Sequence, residues 1–153
     1  MSDAEVDQSI HIEHLRNDTI LALSNNLRYT VRIPATVKRA AMRFLRNKGK
    51  YPISKKRMAL QMFAAALYLL LRNRMARLKY VVIDTEYWGH ENEIKGMILA
   101  YFQRDGMRIS PNCLAFQQIG KDSHAHALAI RTYRGELAED ECIAELEFLA
   151  VLK

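Results

Sequence analysis

Residues Met58 to Leu71 are apolar except for Gln61, and Arg57 and Arg72 close the run at its two ends. A helix over this stretch, above all at Met62-Phe-Ala-Ala-Ala-Leu-Tyr-Leu-Leu-Leu71, has no face to give to water. At fourteen residues the run is too short to span a bilayer, which takes about 20. It must be a buried helix, with Ser54 as its N-cap and an end near Met75, so the rest of the chain has to surround it.

The chain is long enough to do so. Its 153 residues, half of them hydrophobic, suit one domain over 1–153 with a real core. Three prolines and six glycines exclude collagen-like and low-complexity architectures. Cys113 and Cys142 are too few for a disulfide scaffold and lack zinc-site spacing, which fits a reducing, cytoplasmic setting. Asp3, Glu5, Asp7, Glu13 and Asp18 argue against a secretory signal at the start.

Ser9-Ile-His-Ile-Glu-His-Leu15 alternates with period two and predicts a strand. Thr19–Leu23 predicts a second, Ser24-Asn-Asn26 a turn, and Leu27–Ile33 a third strand, forming a meander. Pro34 opens an amphipathic helix whose apolar face is Val37, Ala40, Ala41, Phe44 and Leu45, and Gly49 follows its end. After the apolar helix come a buried strand at Lys79–Asp84, a helix from Glu93 to about Gln103 and a strand at Cys113–Ile119. Helix is then expected from Ser123, interrupted near Gly135 and resumed from Glu139 to Leu152. Strands that follow helices imply right-handed crossovers to parallel neighbours. The predicted class is α/β, with a mixed sheet of antiparallel meander plus parallel strands flanked by helices.

Charge is segregated along the chain. Between Asp18 and Asp84 there are 65 residues with 15 Lys and Arg and no acid, although the whole chain nets only +6. Lys38, Arg39, Arg43, Arg46, Lys48, Lys50, Lys55, Lys56 and Arg57 follow one another without an acidic neighbour. Such a run points to a polyanion, nucleic acid before a membrane surface, although a few such residues would make an ordinary solvated face.

Asp84 and Glu86 lie two apart at the end of an apolar strand, so in extended backbone both carboxylates project from one face. Ligands of open α/β sheets gather at that end of the strands. Paired carboxylates repel unless a proton or cation lies between them, and Mg²⁺ or Mn²⁺ would make the pair an oxygen-ligand site for phosphodiester cleavage. A second cluster is Gly120-Lys-Asp-Ser-His-Ala-His126. Asp122 is a natural N-cap there, but helix geometry also sets it one turn from His126, and Lys121 could hold a phosphate beside the exposed amides. His11-Ile-Glu-His14 is weaker, with His11 and Glu13 on one strand face and no third partner implied. No HExxH, Walker-type loop or nucleophile elbow occurs.

Val81-Val-Ile-Asp-Thr-Glu86 and Asp122-Ser-His-Ala-His-Ala-Leu-Ala129, in this order of elements, resemble the ribonuclease H-like nucleases, including RuvC-type junction resolvases. The resemblance implies that Asp84, Glu86 and Asp122 hold metal, that His126 completes the site, and that two divalent cations activate water against a phosphodiester. It also implies a nucleic-acid partner, DNA or RNA, and suggests a homodimer. The family's first strand carries an Asp, where Thr19–Ser24 ends in Ser, and residues 34–78 lack the acid that ribonucleases H proper place on their first long helix. Two other readings stay open: a catalytically inactive nucleic-acid-binding or assembly subunit, and a small enzyme for a phosphorylated metabolite, against which the missing glycine-rich loop counts.

Overall fold

Strand β1 (Ser2–Ser9) occupies the middle of the sheet and is paired on both sides. In the computed structural model, which describes residues 2–25 and 27–153, β1 is followed by β2 (Thr19–Asn25), β3 (Arg28–Ile33), α1 (Ala35–Lys48) and α2 (Lys55–Leu71). Then come β4 (Leu78–Asp84), α3 (Glu91–Arg104), β5 (Leu114–Gln117), α4 (His124–Tyr133), β6 (Glu141–Cys142) and α5 (Glu145–Leu152). The strands form one sheet of order β5-β4-β1-β2-β3-β6. β1 to β3 are an antiparallel meander, while β4 pairs parallel to β1, β5 to β4 and β6 to β3. The α/β class and the mixed sheet expected from the sequence are both present.

The first strand is not where periodicity placed it. Extended pairing covers 2–9, Ile10 turns the chain with φ +60°, and residues 10–18 are irregular. Ser2–Ser9 alternates small apolar with acidic side chains, Ala4 and Val6 against Asp3, Glu5 and Asp7, so its hydrophobic signal is faint. Burial between two neighbours makes it a strand all the same, with Ala4 and Val6 almost wholly out of water. Ile12, which alternation assigned to a strand face, plugs the core from the irregular segment. The turn expected at Ser24-Asn-Asn26 also shifts: β2 continues through Asn25, Ser24 pairs with Arg28, and Asn26 lies outside the described residues.

The two faces of the sheet differ. Ala4, Val6, Leu21, Leu23, Val31, Ile33, Val81 and Ile83 face the main core, which is closed by α1, α2, α3 and α5. Every residue of α2 from Met58 to Leu71 is buried except Gln61, so the apolar helix is surrounded as its composition requires. The opposite face carries Ile20 and Ala22, covered by Leu128 and Ala129 of α4. Among the described residues no helix is long and apolar enough to cross a membrane.

The interruption expected near Gly135 is present, but the helix expected to resume at Glu139 begins later. Gly135, at φ +82°, follows α4, and Glu141–Cys142 pair with β3 where helix was expected. Asp140 accepts a hydrogen bond from the Thr30 amide at 2.8 Å, and the Ile143 amide donates to the Arg32 carbonyl. Edge pairing outweighs helix propensity over these few residues, and only Glu145–Leu152 is helical.

Lys38 was expected to meet nucleic acid, yet its side chain is fully buried. Its Nζ donates to the His14 carbonyl at 2.6 Å and to Thr19 Oγ1 at 2.8 Å, joining α1 to the 10–18 segment and to β2. Desolvation, only partly offset by Asp18 and Glu13, lowers its pKa to about 8. The folded state therefore holds the proton less tightly than the unfolded chain, and this group's contribution to stability improves as pH rises from about 8 towards 10.5. Urea unfolding should show wild type gaining on Lys38→Met by on the order of 1 to 2 kcal/mol between neutral pH and the onset of tyrosine ionisation. A pH-independent difference would contradict a charged buried lysine.

Candidate active site

Asp7 and Asp84 become neighbours through strand register. Val6 of β1 pairs with Ile83 of β4 in parallel, so the next residue on each strand is an aspartate, and both point to the face away from the main core. The chain leaves β4 through Thr85, whose amide donates to the Gln117 carbonyl, and Glu86 turns back to the same place. Carboxylate oxygens of Asp7, Asp84 and Glu86 all lie within 4.8 Å of one another.

Each is held by a separate contact. Asp7 is 95% buried; its Oδ1 accepts from the Gln8 amide at 2.8 Å and its Oδ2 lies 2.8 Å from Nδ1 of His126. Asp84 Oδ1 accepts from the Ile119 amide at 2.9 Å. Oε2 of Glu86 lies 2.7 Å from Nε2 of His11. His126 reaches Asp7 because α4 starts at Ser123, whose Oγ accepts from the Ala125 amide and donates to Glu5 Oε1 on β1, fixing the helix across that strand. The Tyr87 hydroxyl donates to Glu13 Oε1 at 2.7 Å, and His11 stacks on His14 with ring centroids 5.6 Å apart.

The electrostatics are those of crowded anions. Burial raises the Asp7 pKa, a shift opposed by the hydrogen bond from His126 and reinforced by the charge of Asp84. Burial, with the hydrogen bond and charge of Asp84 behind it, pushes Glu86 up to about 8. The site thus retains protons where isolated carboxylates would have lost them, and a hard cation could replace those protons. A shallow depression of about 260 Å³ opens over the cluster, lined also by Trp88, Gln118, Gly120, Lys121 and His126.

Of the residues singled out from sequence, Asp84, Glu86 and His126 converge, and Lys121 lines the same depression. Asp122 does not join the cluster found among the described residues. It is exposed, and Ser123 rather than Asp122 caps α4. Asp7 joins Asp84 and Glu86 instead, from the strand that periodicity overlooked; the alternation of Asp3, Glu5 and Asp7 around Ala4 and Val6 was its signal. His11 and Glu13, for which the sequence implied no third partner, reach Glu86 and Tyr87.

The basic residues divide. Lys38 is internal. Arg39 donates to the Leu15 carbonyl, Lys48 to the Leu152 carbonyl, and Arg57 pairs with Glu93 at 2.6 Å. Arg43, Arg46, Lys50, Lys55 and Lys56 are all exposed. Arg46, Lys55 and Lys56 line a cavity of about 390 Å³ between α1 and α2 that Glu13 also lines, and Lys56 lies 5.4 Å from the centre of the Tyr87 ring. The chain matches no model of a known family, no curated protein and no solved structure.

Because Glu86 binds its proton more tightly in the folded chain than in the unfolded one, its contribution to stability is complete below about pH 4.5 and is lost as pH rises through about 8. Without divalent cations, wild type should lose at least about 1 kcal/mol relative to Glu86→Gln between pH 5 and pH 8. Parallel curves for the two proteins would show that the carboxylates are not crowded.

Proposed function

We propose that this chain is a divalent-metal-dependent endonuclease of ribonuclease H-like architecture, cleaving phosphodiester bonds in DNA or RNA. The observation that carries the reading is the convergence of Asp7, Asp84 and Glu86 at the C-terminal ends of two adjacent parallel strands. Two further features support it. The order of elements is a meander, a helical connection, a strand ending in an acid, then helix, strand and closing helices. The first strand supplies an aspartate, Asp7, which Thr19–Ser24 lacks.

The donor set fits the group that this reading requires. Three carboxylates with raised proton affinity at two of them are hard oxygen ligands suited to Mg²⁺ or Mn²⁺. Asp7, Asp84 and Glu86 would hold the ion. Bound there, a divalent cation supplies charge stabilisation at the phosphodiester and a more acidic water. The chain's own groups provide the rest. The Gln8 and Ile119 amides orient Asp7 and Asp84, and His11 orients Glu86. The His126 ring, fixed at Nδ1 by Asp7, leaves a second nitrogen to accept or release a proton. Lys121 beside the depression, and Arg46, Lys55 and Lys56 along the neighbouring cavity, provide cations for backbone phosphates.

A second reading, a catalytically inactive nucleic-acid-binding or assembly subunit of the same architecture, is favoured by one observation: helix α1 carries no acid. Incubation of labelled single-stranded, duplex and branched DNA and RNA with Mg²⁺, Mn²⁺ or EDTA separates the two. The nuclease reading expects metal-dependent cutting that falls at least about a hundredfold, about 2.7 kcal/mol, in Asp7→Asn and in Asp84→Asn. Asp122→Asn should cut close to the wild-type rate. Salt-dependent binding without cutting would leave the inactive subunit, and neither binding nor cutting would remove both readings.

A further inference from the structure

Trp88 is the chain's single tryptophan, and it is 67% exposed at the edge of the carboxylate depression. Its presentation is built from below. Tyr87, immediately before it, is buried, packs on Phe63 with ring centroids 5.0 Å apart and donates its hydroxyl to Glu13. The His90 amide donates to the Tyr87 carbonyl at 3.1 Å, closing a turn in which Trp88 is second and Gly89, at φ +84°, third. Only glycine adopts that third position freely, so the turn is fixed in type and Trp88 stands at its apex. The indole has no aromatic or cation–π partner among the described residues. Lone exposed apolar side chains are ordinary on protein surfaces; this one is presented at the apex of a glycine turn and lines the same depression as three carboxylates and Lys121.

We infer that Trp88 is a stacking platform for an unpaired nucleobase next to the phosphodiester held at the carboxylates, so that the preferred substrate is single-stranded or locally unpaired at that nucleotide. This rests on the nuclease reading. A nucleotide strand places a flat, largely apolar base beside each charged phosphate, which matches an indole beside a cation-binding cluster with Lys121 in the same depression. Bases inside a duplex are already stacked on one another, so the open face of Trp88 is available only to one that has left the stack. Both DNA and RNA offer this chemistry.

Because the chain holds one tryptophan, its emission reports this position alone. The full-length protein would be titrated with short oligothymidylate, oligouridylate and a blunt DNA duplex, with Ca²⁺ in place of Mg²⁺ to slow cleavage. Tryptophan emission and the anisotropy of labelled oligomers would both be followed. Single strands should quench the emission. Trp88→Ala should weaken single-strand binding about 5- to 100-fold while duplex binding changes little, and Trp88→Phe should recover most of the loss. A larger loss with one oligomer than with the other names DNA or RNA. Salt-sensitive binding with unchanged emission and equal affinities for wild type and Trp88→Ala would overturn the platform and leave the nuclease reading standing. No binding of any oligomer at low salt would overturn that reading, and the platform with it.

Discussion

The pairing of β1 with β4 is the contact on which the rest of this structure depends. Two parallel strands in the centre of a sheet bring their same-numbered ends together, and here the register that joins Val6 to Ile83 makes Asp7 and Asp84 neighbours. A one-residue slip of either strand would turn its aspartate into the apolar core and bring its Val6 or Ile83 out of it. Hydrophobic burial on one face thus dictates an electrostatic juxtaposition on the other. The carboxylates do not choose each other: Ala4, Val6, Val81 and Ile83, all essentially inaccessible to water, hold them together against their repulsion.

Much of the sequence's charge segregation is resolved by the fold itself. Arg32 meets Asp18 and Glu139, Arg72 meets Glu141 and Glu147, and Arg57 meets Glu93, so acids from both ends of the chain return to the basic middle. Asp18 also accepts from the Ala35 amide at 2.7 Å, capping α1 where Pro34 has no side chain able to do so. The acid-free run therefore overstates the basic surface. Of the basic residues still turned to solvent, Arg46, Lys55 and Lys56 line one cavity with Glu13, and Lys56 lies over the Tyr87 ring.

How far these features could be read from sequence follows from their physics. Helix α2 was legible because fourteen nearly uninterrupted apolar residues allow no other state, and α1, β4 and α3 because their periodic patterns are strong. Asp84 and Glu86 could be found since both lie on one local stretch. Asp7 could not be placed by the same means: its strand carries only Ala4 and Val6 as apolar residues, and its meaning comes from a partner 77 positions away. The misassigned segments fail for related reasons. Residues 10–15 alternate like a strand, but Ile10 takes a left-handed turn and Ile12 is used as a plug. Glu141 and Cys142 are recruited by the open edge of β3. Asp122 and Ser123 are both capable caps, and the contact of Ser123 with Glu5, invisible locally, accompanies the choice of Ser123.

The irregular segment after β1 extends this argument from the strands to the rim of the site. Residues 10–18 have no ladder to hold them, yet they carry His11 to Glu86 and Glu13 to Tyr87. Their anchor is Lys38, whose ammonium grips the His14 carbonyl from inside the protein, while the Arg39 guanidinium holds the Leu15 carbonyl from outside. A buried ammonium is expensive unless its hydrogen bonds are made, so the segment and helix α1 are tied as one unit. The chain therefore assembles its carboxylate cluster from two strands by register and surrounds it with a loop fixed by a cation. The basic helix that the sequence pattern directs outward towards a polyanion also reaches inward to hold the segment that carries His11 and Glu13.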